Sequence, residues 1–241
     1  MRIFFFALLL APAAVHAAGG DIQLDRANID SADVISIQRG AQVFVNYCLN
    51  CHSATAMRYN RLMDLGLTEQ QIKDNLLFTG EKVGDPMSIA ASRKDQRQWF
   101  GVEPPDLSVI ARSRGVNWLY TYMRTFYRDP ERVTGWNNLA FANVGMPHVL
   151  WQLQGTQVLK SQIEEQGGHK VEHKKLVLEF PGTLSPPEYD QLVRDLVNYL
   201  SYMGEPAKTR RVQIGIVVLF FLSFLLVLSW LLKTEYWKDV N

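Results

Sequence analysis

The stretch Cys48-Leu49-Asn50-Cys51-His52 contains both cysteines of the 241-residue chain, and the rest of the sequence is interpreted from it. Its spacing is C-x-x-C-H, the attachment signature of c-type haem. Two thiols three positions apart can add across the two vinyl groups of a porphyrin, and the adjacent imidazole then reaches the iron from the same turn. The motif therefore predicts one covalently attached haem c, bound through Cys48 and Cys51, with His52 as an iron ligand.

Three other kinds of site are compatible with two cysteines at this spacing. A redox-active dithiol of the thioredoxin type would leave His52 without a role. A zinc site needs about four ligands, and this stretch supplies only three. A structural disulfide is the third alternative, because exported proteins keep disulfides. The adjacent histidine favours haem, and the sequence alone leaves the alternatives open.

A helix is predicted immediately before the motif. Between Val34 and Cys48, apolar side chains recur at the spacing of one helical face, and Ser31 or Asp33 can cap the start of the helix. A helix that leads directly into C-x-x-C-H is typical of the first helix in compact single-haem cytochrome c domains. The pattern therefore supports the haem interpretation.

Further helices are predicted later in the chain. Residues 185–203 open with Ser-Pro-Pro-Glu, a helix-capping pattern, and continue with an apolar stripe. Shorter helices are predicted at 69–78, with Thr68 and Gln71 as a capping pair, and at 117–127. The rest is rich in Gly and Pro and is predicted as loop. The expected fold is mainly α: a class I cytochrome c-like helical haem domain with long loops, followed by one C-terminal transmembrane helix.

The second axial ligand of the iron is predicted to be Met146. An electron-transfer haem usually takes a second strong ligand, Met or His, and Met raises the potential. In Gly145-Met146-Pro147, glycine lets the backbone approach closely and proline stiffens the loop. Met87 and His148 are the alternatives that the sequence leaves open.

Two segments are predicted to lie outside the haem domain. Residues 1–17 combine a positive start, an apolar run and a small-residue end, which is typical of a secretory signal peptide. Residues 212–232 carry no charge and form a helix of about 31 Å, which matches a bilayer core of roughly 30 Å. The predicted organisation is completed by a haem domain over 18–207, a basic juxtamembrane segment over 208–211 and a short tail over 233–241.

Charge and export determine the predicted location. The formal net charge is only +1, so no global basic field favours nucleic acid as a partner. Basic residues flank the span on both sides, and the positive-inside rule therefore does not decide its orientation. The predicted signal peptide decides the orientation of the span. It predicts a single-pass protein of the bacterial inner membrane with the haem domain in the periplasm and the C-terminus in the cytoplasm.

From about Ser36 to its C-terminus, the sequence resembles the bacterial form of cytochrome c1, the haem subunit of the cytochrome bc1 complex. The resemblance rests on the segments RGAQVF (39–44), CLNCHS (48–53), MRYNRL (57–62), PPDLS (104–108) and GMP (145–147), and on a single span that follows Glu205-Pro206. C-x-x-C-H alone indicates only a cytochrome c. The PPDLS segment together with the C-terminal anchor narrows the family.

The resemblance implies how the iron is bound. His52 and Met146 would be the axial pair. Pro104 or Pro105 would lie against the haem, and a backbone carbonyl there would accept the imidazole N–H of His52, which fixes the ring orientation.

Two more haem-pocket residues follow from the resemblance. Arg114 occupies the place of an arginine near a haem propionate, although Arg112 is close enough to be confused with it. Tyr127 matches a haem-pocket aromatic residue. The segment between His52 and Pro104 is shorter than in mitochondrial members of the family, and residues 152–181 look lineage-specific.

The function that the resemblance implies is an electron relay. The haem would take one electron from the Rieske iron–sulfur protein of ubiquinol–cytochrome c reductase and pass it to a soluble or membrane-bound cytochrome c, in a dimeric complex with cytochrome b. The chain has no acid–base constellation of its own, so catalysis would belong to the whole complex.

Two other functions stay open at this point. One is a c-haem enzyme or sensor with an open sixth position at the iron. The other is a membrane-anchored cytochrome c of another respiratory complex, such as a nitric oxide reductase or a terminal oxidase.

Overall fold

The computed structural model describes residues 22–166 and 169–239, so the predicted signal peptide over residues 1–17 lies outside the described part. The α-helices are α1 (Val34–Val43), α2 (Glu69–Asn75), α3 (Arg93–Phe100), α4 (Ile110–Arg114), α5 (Val116–Arg124), α6 (Trp151–Gln154), α7 (Pro186–Gly204) and α8 (Lys208–Tyr236). The strands are β1 (Ala54–Arg58), β2 (Pro86–Met87), β3 (Phe126–Arg128), β4 (Trp136–Asn138), β5 (Gly155–Gln166) and β6 (His169–Pro181). A 3₁₀-helix, Tyr59–Leu65, follows β1.

Helix α1 carries the haem motif at its C-terminal end. Asp33, one of the two predicted caps, accepts a hydrogen bond from the Ser36 N–H at 2.9 Å. Helical structure continues to Cys48 as predicted, but the last turn, Phe44–Cys48, is a π-helix. Such single wide turns are frequent at functional sites. Cys48, the last residue of this turn, is buried.

Helices α1 and α7 cross in close contact. A Cβ atom at Gly40 would collide with the backbone carbonyl of Asp195 and with the side chain of Tyr199, so only glycine allows this approach. The buried Asp195 carboxylate accepts hydrogen bonds from Ser36 Oγ at 2.7 Å and from Arg39 Nε at 2.6 Å. Because a buried carboxylate needs such partners, this contact fixes the relative position of the two helices.

Two predicted helix starts are confirmed by reciprocal capping. The Glu188 carboxylate accepts hydrogen bonds from the Ser185 N–H at 2.8 Å and from its hydroxyl at 2.6 Å, at the start of α7. Thr68 and Gln71 form the corresponding pair at the start of α2. The C-terminal end of α2 comes earlier than predicted, at Asn75 rather than residue 78.

Strands are the main departure from the sequence prediction. Parts of the chain that were expected to be loop form three two-stranded antiparallel sheets, β1–β2, β3–β4 and β5–β6. Helix α5 stops at Arg124 instead of Tyr127, because residues 126–128 pair with β4.

The stretch 152–181, also predicted as loop, contains the long β5–β6 hairpin of 12 and 13 residues. The hairpin forms its own sheet and most of its described side chains are exposed or half-buried. Residues 160–175 are mostly polar, so most of the hairpin lacks the apolar alternation by which a strand is recognised.

Helix α8 contains the predicted transmembrane span and is longer than predicted. Residues 210–236 form a candidate membrane-spanning helix of 27 residues, whose most apolar 18-residue window has a mean hydropathy of 2.8 and is not buried against the head. The predicted basic segment 208–211 forms the first turn of α8. Arg211 in that turn makes an ion pair with Glu205 at 2.6 Å, which ties the start of the helix to the head.

Candidate haem site

The His52 imidazole is oriented by the loop 104–108. Its Nδ1 lies 2.7 Å from the Pro105 carbonyl oxygen, so Pro105 rather than Pro104 accepts the hydrogen bond. Burial lowers the pKa of His52, and the Pro105 carbonyl opposes part of that effect. A neutral imidazole whose Nδ1 donates to a carbonyl keeps Nε2 free for a metal. This is the arrangement that an axial histidine requires.

The loop 104–108 is itself bound to the segment that follows the haem motif. The Asp106 carboxylate accepts hydrogen bonds from the Thr55 N–H at 2.9 Å, from the Thr55 hydroxyl at 2.8 Å and from the Ser108 N–H at 2.8 Å. The Leu107 N–H donates to the Ser53 carbonyl at 2.8 Å. Burial acts to raise the pKa of Asp106, but the hydrogen bonds from Ser108 and Thr55 outweigh it and lower the pKa. The carboxylate therefore stays ionised and holds the two segments together.

The two cysteines form no disulfide with each other, and their setting does not suit a redox-active dithiol. Burial raises the pKa of Cys48 to about 12, with a smaller contribution from Cys51, and burial also raises the pKa of Cys51. A redox-active dithiol needs a lowered pKa instead. Within residues 22–166 and 169–239, no group of three or more His, Cys, Asp or Glu side chains could hold a metal ion, which argues against the zinc alternative.

Met146 is half-buried, and its sulfur accepts a hydrogen bond from the Tyr122 hydroxyl at 3.4 Å. Tyr122 is buried on α5, and burial raises the pKa of its phenol, so the phenol is a neutral donor. Gly145 lies next to Val102 in the segment that leads to PPDLS. The Met146 loop therefore lies beside the segment that holds His52.

The loop before Met146 is held by two buried asparagines of β4. Asn138 Oδ1 accepts hydrogen bonds from the N–H groups of Ala140 at 2.8 Å and Phe141 at 3.1 Å. Asn137 Oδ1 accepts one from the Asn143 N–H at 2.9 Å. Asn143 adopts a left-handed backbone conformation with φ of 61°, a conformation that asparagine tolerates better than most residues. These contacts determine where the Gly-Met-Pro turn begins.

The two alternative ligands differ from Met146 in their surroundings. Met87 is fully buried in the core, and its sulfur accepts a hydrogen bond from the Tyr199 hydroxyl at 3.3 Å. His148 is 1% exposed, stacks on Phe126 with centroids 4.9 Å apart, and meets the edge of Trp136. Burial lowers the pKa of His148 to about 4.

A cleft of about 370 Å³ lies between the haem motif and the segment that follows Met146. Cys51 and the turn before it line one part of the wall, and Pro147, His148 and Val149 line another. In the part of the chain that the structure describes, neither ring nitrogen of His148 has a hydrogen-bond partner. A crevice lined by Cys51 and by an unpaired buried imidazole, with the oriented His52 next to Cys51 in the chain, fits a haem c.

The structure separates the two candidate arginines. The Arg112 side chain packs against Gly204 at the end of α7. The Arg114 guanidinium lies over the Trp118 ring at 5.1 Å and over Phe141 at 5.8 Å. Trp118 in turn stacks on the tyrosine that contacts the Met146 sulfur. Arg114 is therefore the arginine that lies on the Met146 side of the site.

Tyr127 lies in β3, opposite Asn137 of β4, and is half-buried. Burial raises the pKa of Tyr127, and Asp129 adds to that effect. Its neighbour Phe126 is the β3 residue that stacks on His148. The aromatic hydroxyl that contacts Met146 comes from Tyr122, and among the described residues Tyr127 has no such contact.

Several residues of the site were missed from the sequence. Tyr122 and Trp118 stand four positions apart on α5, so the spacing of two aromatics on one helical face was a usable signal. The asparagine pair of β4 offered only the general preference of asparagine for turns. Gln96, whose Nε2 donates to the Cys51 carbonyl at 2.9 Å, lies in a polar helix and gave no signal.

Comparison with known proteins agrees with this geometry. The sequence matches the Cytochrome C1 family over residues 26–240. It is 51% identical over 237 residues to a cytochrome c1 of Allochromatium vinosum, covering 97% of this chain and 96% of that protein. It is also 51% identical over 241 residues to a Nitrosomonas europaea protein named "Ammonia monooxygenase gamma subunit", covering 100% and 99% of the two chains.

A more distant relative carries the same family name. A cytochrome c1 of Rhodospirillum rubrum is 26% identical over 281 residues, and the alignment covers 97% of each chain. The family match spans nearly all of the described residues, including the haem motif, the Met146 loop and the C-terminal helix. The chain belongs to the cytochrome c1 family.

Proposed function

We propose that this chain relays single electrons to a cytochrome c, with the haem iron held by His52 and Met146. As a cytochrome c1 it is the electron-transfer subunit of the bc1 complex, together with cytochrome b and the Rieske iron–sulfur protein. Members of the family carry one haem c, which supplies one-electron oxidation and reduction, and Cys48 and Cys51 attach it. The hydrogen bond of 2.7 Å between His52 Nδ1 and the Pro105 carbonyl carries the ligand assignment.

The protein's own residues contribute orientation and closure. Pro105 fixes the imidazole, and the loop that ends in Pro147 presents the thioether of Met146. With His52 and Met146 both holding the iron, small molecules would not reach it, and the site would pass electrons rather than activate a substrate. Arg114 is proposed to face a haem propionate and Tyr127 to line the haem pocket, as the family resemblance implies.

The location and assembly of the protein are part of the same proposal. Residues 1–17 are proposed to be a cleaved signal peptide, and residues 18–207 a periplasmic head. The span over 212–232, preceded by the basic segment 208–211, would leave residues 233–241 in the cytoplasm. The complex is proposed to be a dimer.

The name of the Nitrosomonas relative would suggest a monooxygenase. The chain is 51% identical to that protein and to a cytochrome c1, so the names alone do not discriminate between the two functions. The family match over residues 26–240, the oriented His52 and the Met146 loop favour the electron relay.

The function is tested on the membrane complex as isolated in detergent. We expect the chain to co-purify with cytochrome b and a Rieske protein, and its reduced haem to bind carbon monoxide slowly or not at all at neutral pH. Isolation without these two subunits would contradict the bc1 assignment. Rapid carbon monoxide binding would contradict the closed sixth position.

A further inference from the structure

The Tyr122 hydroxyl has one hydrogen-bond partner among the described residues, the sulfur of Met146 at 3.4 Å. The tyrosine is only 8% exposed, so water does not compete freely for the hydroxyl. A phenol in such a position would leave a buried donor unpaired if the sulfur moved away. The contact therefore couples the position of the Met146 side chain to that of α5.

The Tyr122 ring is held on several sides. The Trp118 ring, one helical turn earlier, stacks on it with centroids 4.8 Å apart and an interplanar angle of 11°. The edge of Phe126 meets it at 5.0 Å. The backbone carbonyl of Tyr122 accepts a hydrogen bond from Asn138 Nδ2 at 2.7 Å. Because Asn138 also holds the loop before Met146, donor and acceptor are positioned by the same residue.

A thioether sulfur has two lone pairs, so one can bind iron while the other accepts a hydrogen bond. Sulfur is a weak acceptor, and the contact contributes little to folding. Its effect on the ligand is electronic. The hydrogen bond withdraws electron density from the sulfur, so the thioether becomes a weaker ligand. A weaker ligand stabilises ferric iron less, relative to ferrous iron. The hydrogen bond therefore favours the reduced state.

We propose that Tyr122 is a positioning residue for the sixth iron ligand. Its hydroxyl donates to the Met146 sulfur, which holds the thioether in place and raises the midpoint potential of the haem. The proposal rests on the assignment of Met146 as a ligand in the proposed function.

The chain offers a matched control. Tyr199 and Met87 make the same kind of contact at 3.3 Å, and both are fully buried in the core. Tyr199→Phe removes one hydroxyl from a tyrosine–methionine pair, as Tyr122→Phe does, but at a methionine that is not proposed to bind iron. Phenylalanine keeps the ring in both variants, so the packing is retained.

The experiment compares Tyr122→Phe, Tyr199→Phe and Met146→Leu in the purified complex. Three quantities are measured: the midpoint potential, the thioether-to-iron charge-transfer band near the red edge of the visible spectrum, and the affinity of the ferric haem for imidazole. Tyr122→Phe is expected to keep the band, to lower the potential and to bind imidazole several-fold more tightly. A tenfold change in the equilibrium ratio of oxidised to reduced haem would correspond to 59 mV. Tyr199→Phe is expected to match the wild type in all three.

The outcomes separate the two claims. An unchanged potential and imidazole affinity in Tyr122→Phe, with the band lost in Met146→Leu, would overturn the role of Tyr122 and leave the ligand assignment intact. Equal changes in Tyr122→Phe and Tyr199→Phe would also overturn it, because the effect would then be one of general packing. A band that survives Met146→Leu would overturn the ligand assignment itself.

Discussion

The His52 side and the Met146 side of the candidate haem site are built in different ways. On the side of His52, the segment 53–56 and the loop 104–108 are joined by hydrogen bonds from several groups of both segments, including backbone N–H and carbonyl groups. On the side of Met146, a loop is held mainly by side chains of two adjacent residues, Asn137 and Asn138.

The difference shows where each side is vulnerable. The His52 side distributes its contacts, so the loss of one partner leaves others. The Met146 side concentrates them in Asn138, whose amide contacts both the loop and the backbone of Tyr122. We therefore expect single substitutions to loosen the methionine more than the histidine.

Met146→Leu tests the methionine side directly and should have the largest effect. Leucine offers no ligand atom, so the potential should fall substantially and the charge-transfer band should disappear. Redox titration and the ferric spectrum measure both. Met63→Leu is the control, because Met63 is 46% exposed on the 3₁₀-helix. An intact band in Met146→Leu would mean that another residue ligates the iron.

Asn138→Ala should have the next largest effect. It leaves the Tyr122 carbonyl and the N–H groups of Ala140 and Phe141 without their partners, at a cost of about 2–4 kcal/mol. The measurement is the temperature at which the charge-transfer band is lost, which should fall. Asn60→Ala, at an exposed position, should leave it unchanged. If the band is lost at the same temperature in Asn138→Ala and in the wild type, Asn138 does not hold the Met146 loop as we expect.

Asp106→Ala probes the histidine side and should cost about 1–2 kcal/mol, since Thr55 and Ser108 lose their acceptor but other contacts remain. Thermal unfolding followed by the haem absorbance measures it, with Asp74→Ala on α2 as the control. A larger effect than that of Asn138→Ala would reverse the comparison of the two sides.

The same variant has a predicted pH dependence. The pKa of Asp106 is lowered in the folded state, so its contribution is complete above the ordinary aspartate value of about 3.9. It is lost as the pH falls through that value toward the lowered one. The difference between the wild type and Asp106→Ala should therefore shrink on acidification below about pH 4. A constant difference would mean that the ionised carboxylate is not what joins the segments.

Gln96→Ala should have the smallest effect. It removes one hydrogen bond, to the Cys51 carbonyl, and should cost about 0.5–1.5 kcal/mol without changing the spectrum. Gln98→Ala, exposed on the same helix, is the matched control. A changed charge-transfer band in Gln96→Ala would show that the two sides of the crevice are coupled.

The parts of the molecule that follow local rules were predictable. Capping at Thr68 and Ser185, the apolar stripe of α7 and the uncharged stretch within α8 depend on neighbours in sequence. The β5–β6 hairpin was missed because residues 160–175 are mostly polar and the short alternation of Leu176, Leu178 and Phe180 at its end was not used, although the two strands pair from Gly155–Pro181 to Gln166–His169.

The residues of the candidate site also differ in whether the sequence alone predicts them. A carbonyl of Pro104 or Pro105 that orients His52 was expected from the family resemblance, and the structure assigns it to Pro105. Tyr122 was not expected, because its hydroxyl meets a methionine 24 positions away through the packing of α5 against the loop. Contacts of that range depend on tertiary packing, which periodicity does not encode.

The crossing at Gly40 affects how the haem motif is placed relative to the membrane helix. The turn that carries the haem follows α1, and the membrane helix α8 begins four residues after α7 ends. Because α1 and α7 touch backbone to backbone, no change of side chain at Gly40 can be absorbed without moving the two helices apart. The spacing between the haem motif and the start of the membrane helix is thus set by a contact between main chains, and a larger side chain at Gly40 is expected to change it.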